Sequence, residues 1–157
     1  MESNAPRVFA EVPDCSALTV RQLVDRYATT CPDKAFAVFP DSDLVLHWSE
    51  LQKTCRKLHS YLDSLGAKPG DRIGMLTANG QSALELFLGC MYGGFTIATF
   101  NPVAGEAALR YVLEHSEVRV LFADEANADT AARNCGEETH ELKMIRTKAT
   151  GRPSLLA

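Results

Sequence analysis

Residues 66–102 read GAKPGDRIGMLTANGQSALELFLGCMYGGFTIATFNP, and this stretch decides the fold. Its two apolar runs, 72–78 and 95–100, have the length of short strands, and residues 82–92 between them have the composition of a helix. Apolar residues occupy every side of that helix, which predicts that it is buried all round. Strand, helix and strand in this order predict one unit of a parallel α/β sheet.

Both ends of the central helix carry recognisable signals. Ser82 and Glu85 have the spacing of a capping box, so we expect Ser82 to cap the helix start. Gly93 and Gly94 follow the last apolar turn, where glycine tolerates the left-handed conformation of a helix exit and allows close packing.

Further elements are predicted on both sides of this stretch. Two capping-box spacings, Thr19 with Gln22 and Ser49 with Gln52, predict the starts of two helices. A turn sequence at 40–43 joins two short β-rich runs into an antiparallel hairpin. The predicted helices are 19–31, 49–65, 105–116 (with Ala108, Leu109, Val112 and Leu113 facing the sheet) and 126–134, and the predicted strands are 35–39, 44–48, 118–123 and 142–145.

This order of elements predicts a three-layer α/β domain. It consists of a mostly parallel sheet with helices on both faces, plus an N-terminal β-hairpin. We expect residues 1–18 to be a lead-in, residues 19–146 to form the domain, and residues 147–157 to be a linker or frayed tail.

Whole-chain properties exclude several classes of function. The formal net charge is -4 over 157 residues and the cations are scattered, which argues against a nucleic acid partner. Five well-separated cysteines without a CxxC pair indicate neither a zinc site nor a disulfide framework. The apolar run 86–100 is shorter than a transmembrane helix and is interrupted by glycines. With no signal-peptide pattern, we expect a cytoplasmic protein.

Local motifs assign no catalytic, metal-binding or cofactor-binding residue. Ser82 lies at a strand-to-helix turn, where α/β-hydrolases place a nucleophile, but Leu84 replaces the second glycine of that motif, so the capping role is favoured. The segment 89–94 is glycine-rich but closes a helix, whereas a phosphate-binding loop opens one. The acid pairs 124–125 and 137–138 are expected to be solvated. The histidines lack metal-ligand spacing and are expected to be structural: His47, His59, His115 and His140.

Several short blocks in the right order carry a stronger signal. Residues 46–51, LHWSEL, resemble the block Leu-Thr-Tyr-x-Glu-Leu of the adenylate-forming superfamily of acyl- and aryl-CoA synthetases, luciferases and peptide-synthetase adenylation domains. Residues 65–73, LGAKPGDRI, are similar to its Leu-Gly-Val-x-x-Gly-Asp-Arg-Val. Residues 94–102, GFTIATFNP, resemble its Gly-Ala-x-x-x-Pro-Leu-Asn-Pro, with Thr99 in place of the proline. The helix and strand at 109–124 also fit.

The resemblance implies an AMP-forming acid-thiol ligase that uses ATP, Mg²⁺ and CoA. The sequence lacks the family's phosphate loop, ribose-binding aspartate and carboxy-terminal lysine, so the chain is expected to be a partial N-terminal subdomain, with no cofactor of its own, that is inactive alone. The resemblance implies that Asp71 caps a loop and that Asn101 and Pro102 form a turn. Asn101 also sits where α/β sheets present ligands, which makes it the candidate substrate-side residue.

Two other functions are compatible with the sequence. The chain could be a stand-alone non-catalytic binding or split-enzyme module that pairs with a partner chain, or a small flavodoxin-like nucleotide-binding domain. The expected partners are the remainder of an adenylating enzyme or a partner chain, together with a carboxylic acid, ATP and CoA. An apolar helix on a truncated sheet also predicts self-association or domain swapping.

Overall fold

The computed structural model describes residues 18–135 and 142–147, and its elements alternate as the sequence predicts. The helices are α1 (Val20–Thr30), α2 (Trp48–Ser64), α3 (Gln81–Gly93), α4 (Glu106–His115) and α5 (Ala128–Asn134). The strands are β1 (Ala35–Phe39), β2 (Leu44–His47), β3 (Arg72–Leu76), β4 (Thr96–Thr99), β5 (Val118–Asp124) and β6 (Lys143–Thr147). Among the described residues, no helix is long and apolar enough to cross a membrane.

The strands form one parallel sheet and one hairpin. The four-stranded sheet has the order β4-β3-β5-β6, and all three neighbouring pairs are parallel. β1 and β2 pair antiparallel as a separate two-stranded unit. The predicted fold class is therefore confirmed. β6 includes Thr147, which the sequence assigned to the tail, so the strand ends one residue beyond the predicted domain boundary.

Helices cover both faces of the sheet. On one face Leu58 and Leu62 of α2 and Leu86 of α3 pack against Ile73 and Phe122. On the other face, α4 and α5 pack through three side chains, Leu109, Leu113 and Ala131. A third cluster joins α1, α2 and the hairpin. The chain therefore forms three layers, with β3 and β5 at the centre of the middle layer.

Two of the predicted helix caps are wrong. α3 begins one residue earlier than predicted and its N-cap is Gly80, without a side-chain cap, so Ser82 lies inside the first turn and is fully buried. α2 is capped by His47 and Glu50, because the chain is extended at His47 and turns into the helix at Trp48. The capping box of Thr19 and Gln22 is confirmed.

The predicted all-round burial of α3 is also wrong. Phe87 and Met91 are 37% and 40% exposed, and their spacing of four places them on one side of the helix. α3 packs on the sheet and on α1 and α2, which leaves its remaining side open. On α4 only Leu109 and Leu113 are buried, whereas Ala108 and Val112 are exposed. Self-association through such surfaces remains a prediction.

Glycine permits the closest contacts in the core. A Cβ at Gly74 of β3 would lie 2.7 Å from Phe100, 2.8 Å from Leu121 and 3.0 Å from Val118. At Gly89 of α3 a Cβ would meet one residue closely, because its nearest neighbour is the Leu58 Cδ2 at 2.6 Å. The predicted close packing at Gly93 is confirmed, since its Cβ would lie 2.5 Å from the Phe95 ring. Gly94 has φ 79°, as a helix exit requires.

We expect Gly74→Ala to lower the free energy of unfolding by about 1–3 kcal/mol, because three packed side chains would have to move together. Gly89→Ala is the matched comparison. There one flexible leucine must move, and alanine gains about 1 kcal/mol of helix propensity over glycine, so the net change should be smaller. Urea unfolding of both variants measures the difference, and an equal or larger loss at Gly89 would contradict this account.

A polar network fastens α1 to the other two helices on its face. The Asp25 Oδ1 accepts hydrogen bonds from the Tyr92 hydroxyl at 2.9 Å and from the Gln52 amide at 2.6 Å. Arg56 lies 3.4 Å from the same oxygen. Burial alone raises the pKa of Asp25, but the bonds from Gln52 and Tyr92 and the charge of Arg56 outweigh burial and hold this pKa below its ordinary value.

Because the pKa of Asp25 is lowered in the folded state, the loss of stability in Asp25→Asn should depend on pH. The ionised carboxylate stabilises the fold above its unfolded pKa of about 3.9, and this contribution is lost as the pH falls through the lower folded value. The gap in urea midpoint between the wild type and the variant should be constant from pH 7 to pH 5 and narrow below about pH 4. Asp33→Asn, at an exposed carboxylate, should show little gap at any pH. A gap that widens in acid would refute the assignment.

Candidate functional site

An open groove lies at the carboxyl ends of β3 and β4. Its volume is about 480 Å³, and it sits at the edge where parallel α/β sheets commonly bind ligands. Among residues 18–135 and 142–147, no charged side chain lines it. The lining residues are Met75, Thr77, Ala78, Asn79, Thr99, Phe100, Asn101 and Pro102. The groove therefore offers amides, hydroxyls and apolar surface.

Asn101, the predicted substrate-side residue, is an exposed part of this groove. Its side-chain Oδ1 accepts a hydrogen bond from the Val103 N–H at 3.1 Å, and its carbonyl accepts one from the Ala104 N–H at 3.2 Å. These two bonds confirm the predicted turn after β4. The bond from Val103 also orients the Asn101 side chain at the groove edge. Its substrate-side role remains a prediction.

Thr77 lines the β3 side of the groove. The residue is 8% exposed, and its hydroxyl oxygen is buried without a hydrogen-bond partner within residues 18–135 and 142–147. A buried hydroxyl without a partner costs free energy.

Asp124, at the end of β5, is fully buried. Its Oδ2 accepts a hydrogen bond from the Ala78 N–H at 2.7 Å, and its Oδ1 accepts from the Asn127 N–H at 2.9 Å and the Asn127 side-chain amide at 2.8 Å. The prediction that residues 124–125 are a solvated acid pair is therefore wrong for Asp124, although Glu125 is exposed. Residues 137–138 lie outside the described residues.

The remaining sequence candidates differ in their contacts and burial. Ser82 is fully buried inside α3, so substrate cannot reach it as a nucleophile. His47 caps α2, His59 contacts the Phe95 ring, and His115 stacks on a tyrosine of its own helix. His140 lies outside the described residues. Within the described ranges, no group of three His, Cys, Asp or Glu side chains could hold a metal ion.

Asp71 fulfils its predicted capping role before β3. Its Oδ2 accepts a hydrogen bond from the Lys68 N–H at 2.8 Å, and its own N–H donates to the Lys68 carbonyl at 2.9 Å. Arg119 lies 3.3 Å from the same carboxylate oxygen. These contacts stabilise the turn that precedes β3.

Comparison with known proteins identifies the family of this fold. A family model described as AMP-binding enzyme matches residues 24–154. The chain belongs to the AMP-binding enzyme family. This membership confirms the resemblance that the sequence blocks indicate.

Individual relatives of this chain include CoA ligases. It is 37% identical over 78 residues to 3-methylmercaptopropionyl-CoA ligase of Ruegeria lacuscaerulensis, an alignment of 50% of the chain and 14% of the ligase. It is 30% identical over 142 residues to sulfoacetate–CoA ligase of Cupriavidus necator, covering 88% of the chain and 28% of the ligase. The chain thus spans less than a third of either relative.

A solved structure shows the same fold. The N-terminal domain of FACL13 from Mycobacterium tuberculosis superimposes with a TM-score of 0.75 at 19% identity. The match covers 84% of this chain and 34% of that structure's chain.

The two buried thiols of this chain, Cys55 and Cys90, are unlike a catalytic nucleophile, which requires a lowered thiol pKa. Burial raises the pKa of both Cys55 and Cys90 to about 12. We expect a maleimide to leave both thiols unmodified in the native protein at pH 8 and to label them once urea unfolds it, because the thiolate is the reactive form. Peptide mass spectrometry before and after unfolding measures this, with the half-buried Cys31 as the internal comparison. Rapid native labelling of Cys55 would overturn the prediction.

Proposed function

We propose that this chain is the N-terminal scaffold portion of a cytoplasmic, ATP-dependent acyl- or aryl-CoA ligase, and that it is inactive alone. The observation that carries the proposal is the family match across residues 24–154, combined with the chain's span of only 14% and 28% of two related ligases. The remainder of the enzyme, in the same chain or in a partner, would supply the chemistry.

In the proposed reaction a carboxylate attacks the α-phosphate of ATP and expels pyrophosphate, which gives an acyl-adenylate. The CoA thiol then attacks the acyl carbon of that adenylate and displaces AMP. Charge that develops on the phosphate requires cations or aligned backbone donors. In the part of the chain that the structure describes, no charged side chain lines the groove beside β3 and β4, and no group of side chains could hold a metal ion. The described residues therefore do not fit Mg²⁺ and the phosphates of ATP, and we place that chemistry in the remainder of the enzyme.

The groove is better suited to an uncharged portion of the substrates. Asn79 and Asn101 offer side-chain amides, and Met75 and Phe100 add apolar surface to the same lining. Amides can both donate and accept hydrogen bonds, so they complement neutral polar groups without a desolvated charge. We propose that Asn101 contacts such a portion of the acid or of CoA.

Inactivity of the isolated chain is tested by two measurements on the same purified protein. Isothermal titration with ATP and AMP should give no heat of binding, and a pyrophosphate-release assay with a panel of fatty and aromatic acids should give no turnover. A full-length CoA ligase run in parallel confirms that the assay detects activity.

Each positive result would favour a different function. Pyrophosphate release would show that the chain carries catalytic groups, which contradicts the scaffold proposal. Binding of ATP or AMP without turnover would instead support the small nucleotide-binding domain, and a titration with flavin tests the same alternative.

A further inference from the structure

The strand order of the sheet reverses between β3 and β5. From β3 the chain passes through α3 to β4, and from β5 it passes through α5 to β6, on the other side. α3 packs on one face of the sheet and α5 on the opposite face. The two loops therefore diverge, and divergence of this kind normally opens a crevice that receives a ligand.

In this protein a side chain bridges that crevice. The Asp124 Oδ2, at the end of β5, accepts a hydrogen bond at 2.7 Å from the Ala78 N–H, in the loop after β3. Its Oδ1 accepts one from the N–H of Asn127, which ends the loop after β5 and is the N-cap residue of α5. Asp124 is fully buried, and a buried carboxylate is tolerated when N–H donors surround it. One side chain thus joins the two loops that the topology separates.

The bridge also shapes the groove on the neighbouring pair of strands. Ala78, which Asp124 holds through its backbone N–H, is part of the groove lining, and Asn79 follows it in the same lining. The side chain of Asp124 does not line the groove. Its influence on a ligand there would act through the Ala78 backbone.

We propose that Asp124 is a positioning residue that closes the crevice between β3 and β5 and fixes the Ala78 wall of the groove, so that substrate is received beside β3 and β4. The assignment rests on the proposed substrate-side role of that groove. This role would place the ligand on the β4 side of β3, and it would account for the fully buried acid at the end of β5.

The test is amide hydrogen exchange and chemical shift, measured by NMR on the full chain without ligand. In Asp124→Ala, exchange of the Ala78 amide should accelerate at least about tenfold relative to the amide of Leu121, because the N–H loses its acceptor. The signals of Ala78 and Asn79 should move, whereas that of Val38 in the hairpin should not.

Two further variants make the result specific. Asn127→Ala removes one donor to Asp124 but leaves the bond to Ala78, so exchange at Ala78 should change less than about twofold. If Asp124→Ala does not fold, Asp124→Asn keeps the volume of the side chain and should give an intermediate acceleration at the same amide. Uniform acceleration of all amides, or equal effects in Asn127→Ala, would overturn the proposal.

A ligand titration tests the proposed function separately from the role of Asp124. CoA and hexanoate are titrated into the wild-type chain while the signals of Asn79 and Asn101 are followed. If both probes leave these signals unmoved, the substrate-side role of the groove fails. Hydrogen exchange at the Ala78 amide would still test whether Asp124 joins the two loops. If either probe shifts them, its affinity should fall at least about fivefold in Asp124→Ala and remain unchanged in Asn127→Ala.

Discussion

The parallel pairing of β3 with β5 is the contact on which the rest of the fold depends. The two strands are neighbours in space, yet α3, β4 and α4 lie between them in sequence. Bringing such distant segments together costs chain entropy before any contact repays it. β5 compensates through burial, since residues 120–124 are all buried, and Gly74 lets the Phe100 and Leu121 side chains pack directly against β3.

Elements whose signals are local could be predicted from the sequence. The limits of β1 are as predicted, and the capping box of Thr19 and Gln22 forms, because both depend on residues within a few positions of one another. The caps at Ser82 and Ser49 failed for a different reason. Capping-box spacing occurs wherever the residue types fall three apart, and the place where the chain leaves extended structure decides which pair is used.

Burial was harder to predict because it depends on neighbours that local sequence does not specify. α3 is apolar all round, but three packed partners cover only part of its circumference, and Phe87 and Met91 fall on the open part. The buried face of α4 is also narrower than predicted, because only Leu109 and Leu113 are buried and Val112 stays exposed. Periodicity identifies which residues share a face, and the number of covering elements decides how wide the buried face becomes.

In the candidate site too, one residue could be placed from local sequence and another could not. Asn101 could be placed at a strand end from sequence alone, because a turn signal directly follows the apolar run of β4. Asp124 could not, since its partner Ala78 follows a different strand and donates a backbone N–H that leaves no trace in composition. The one local signal was an asparagine three residues after the aspartate, a spacing typical of a side chain that closes its own turn. A buried acid at a strand end therefore needs the strand order before it can be interpreted. With that order known, the same carboxylate that looked like surface charge becomes the contact that holds two diverging loops together.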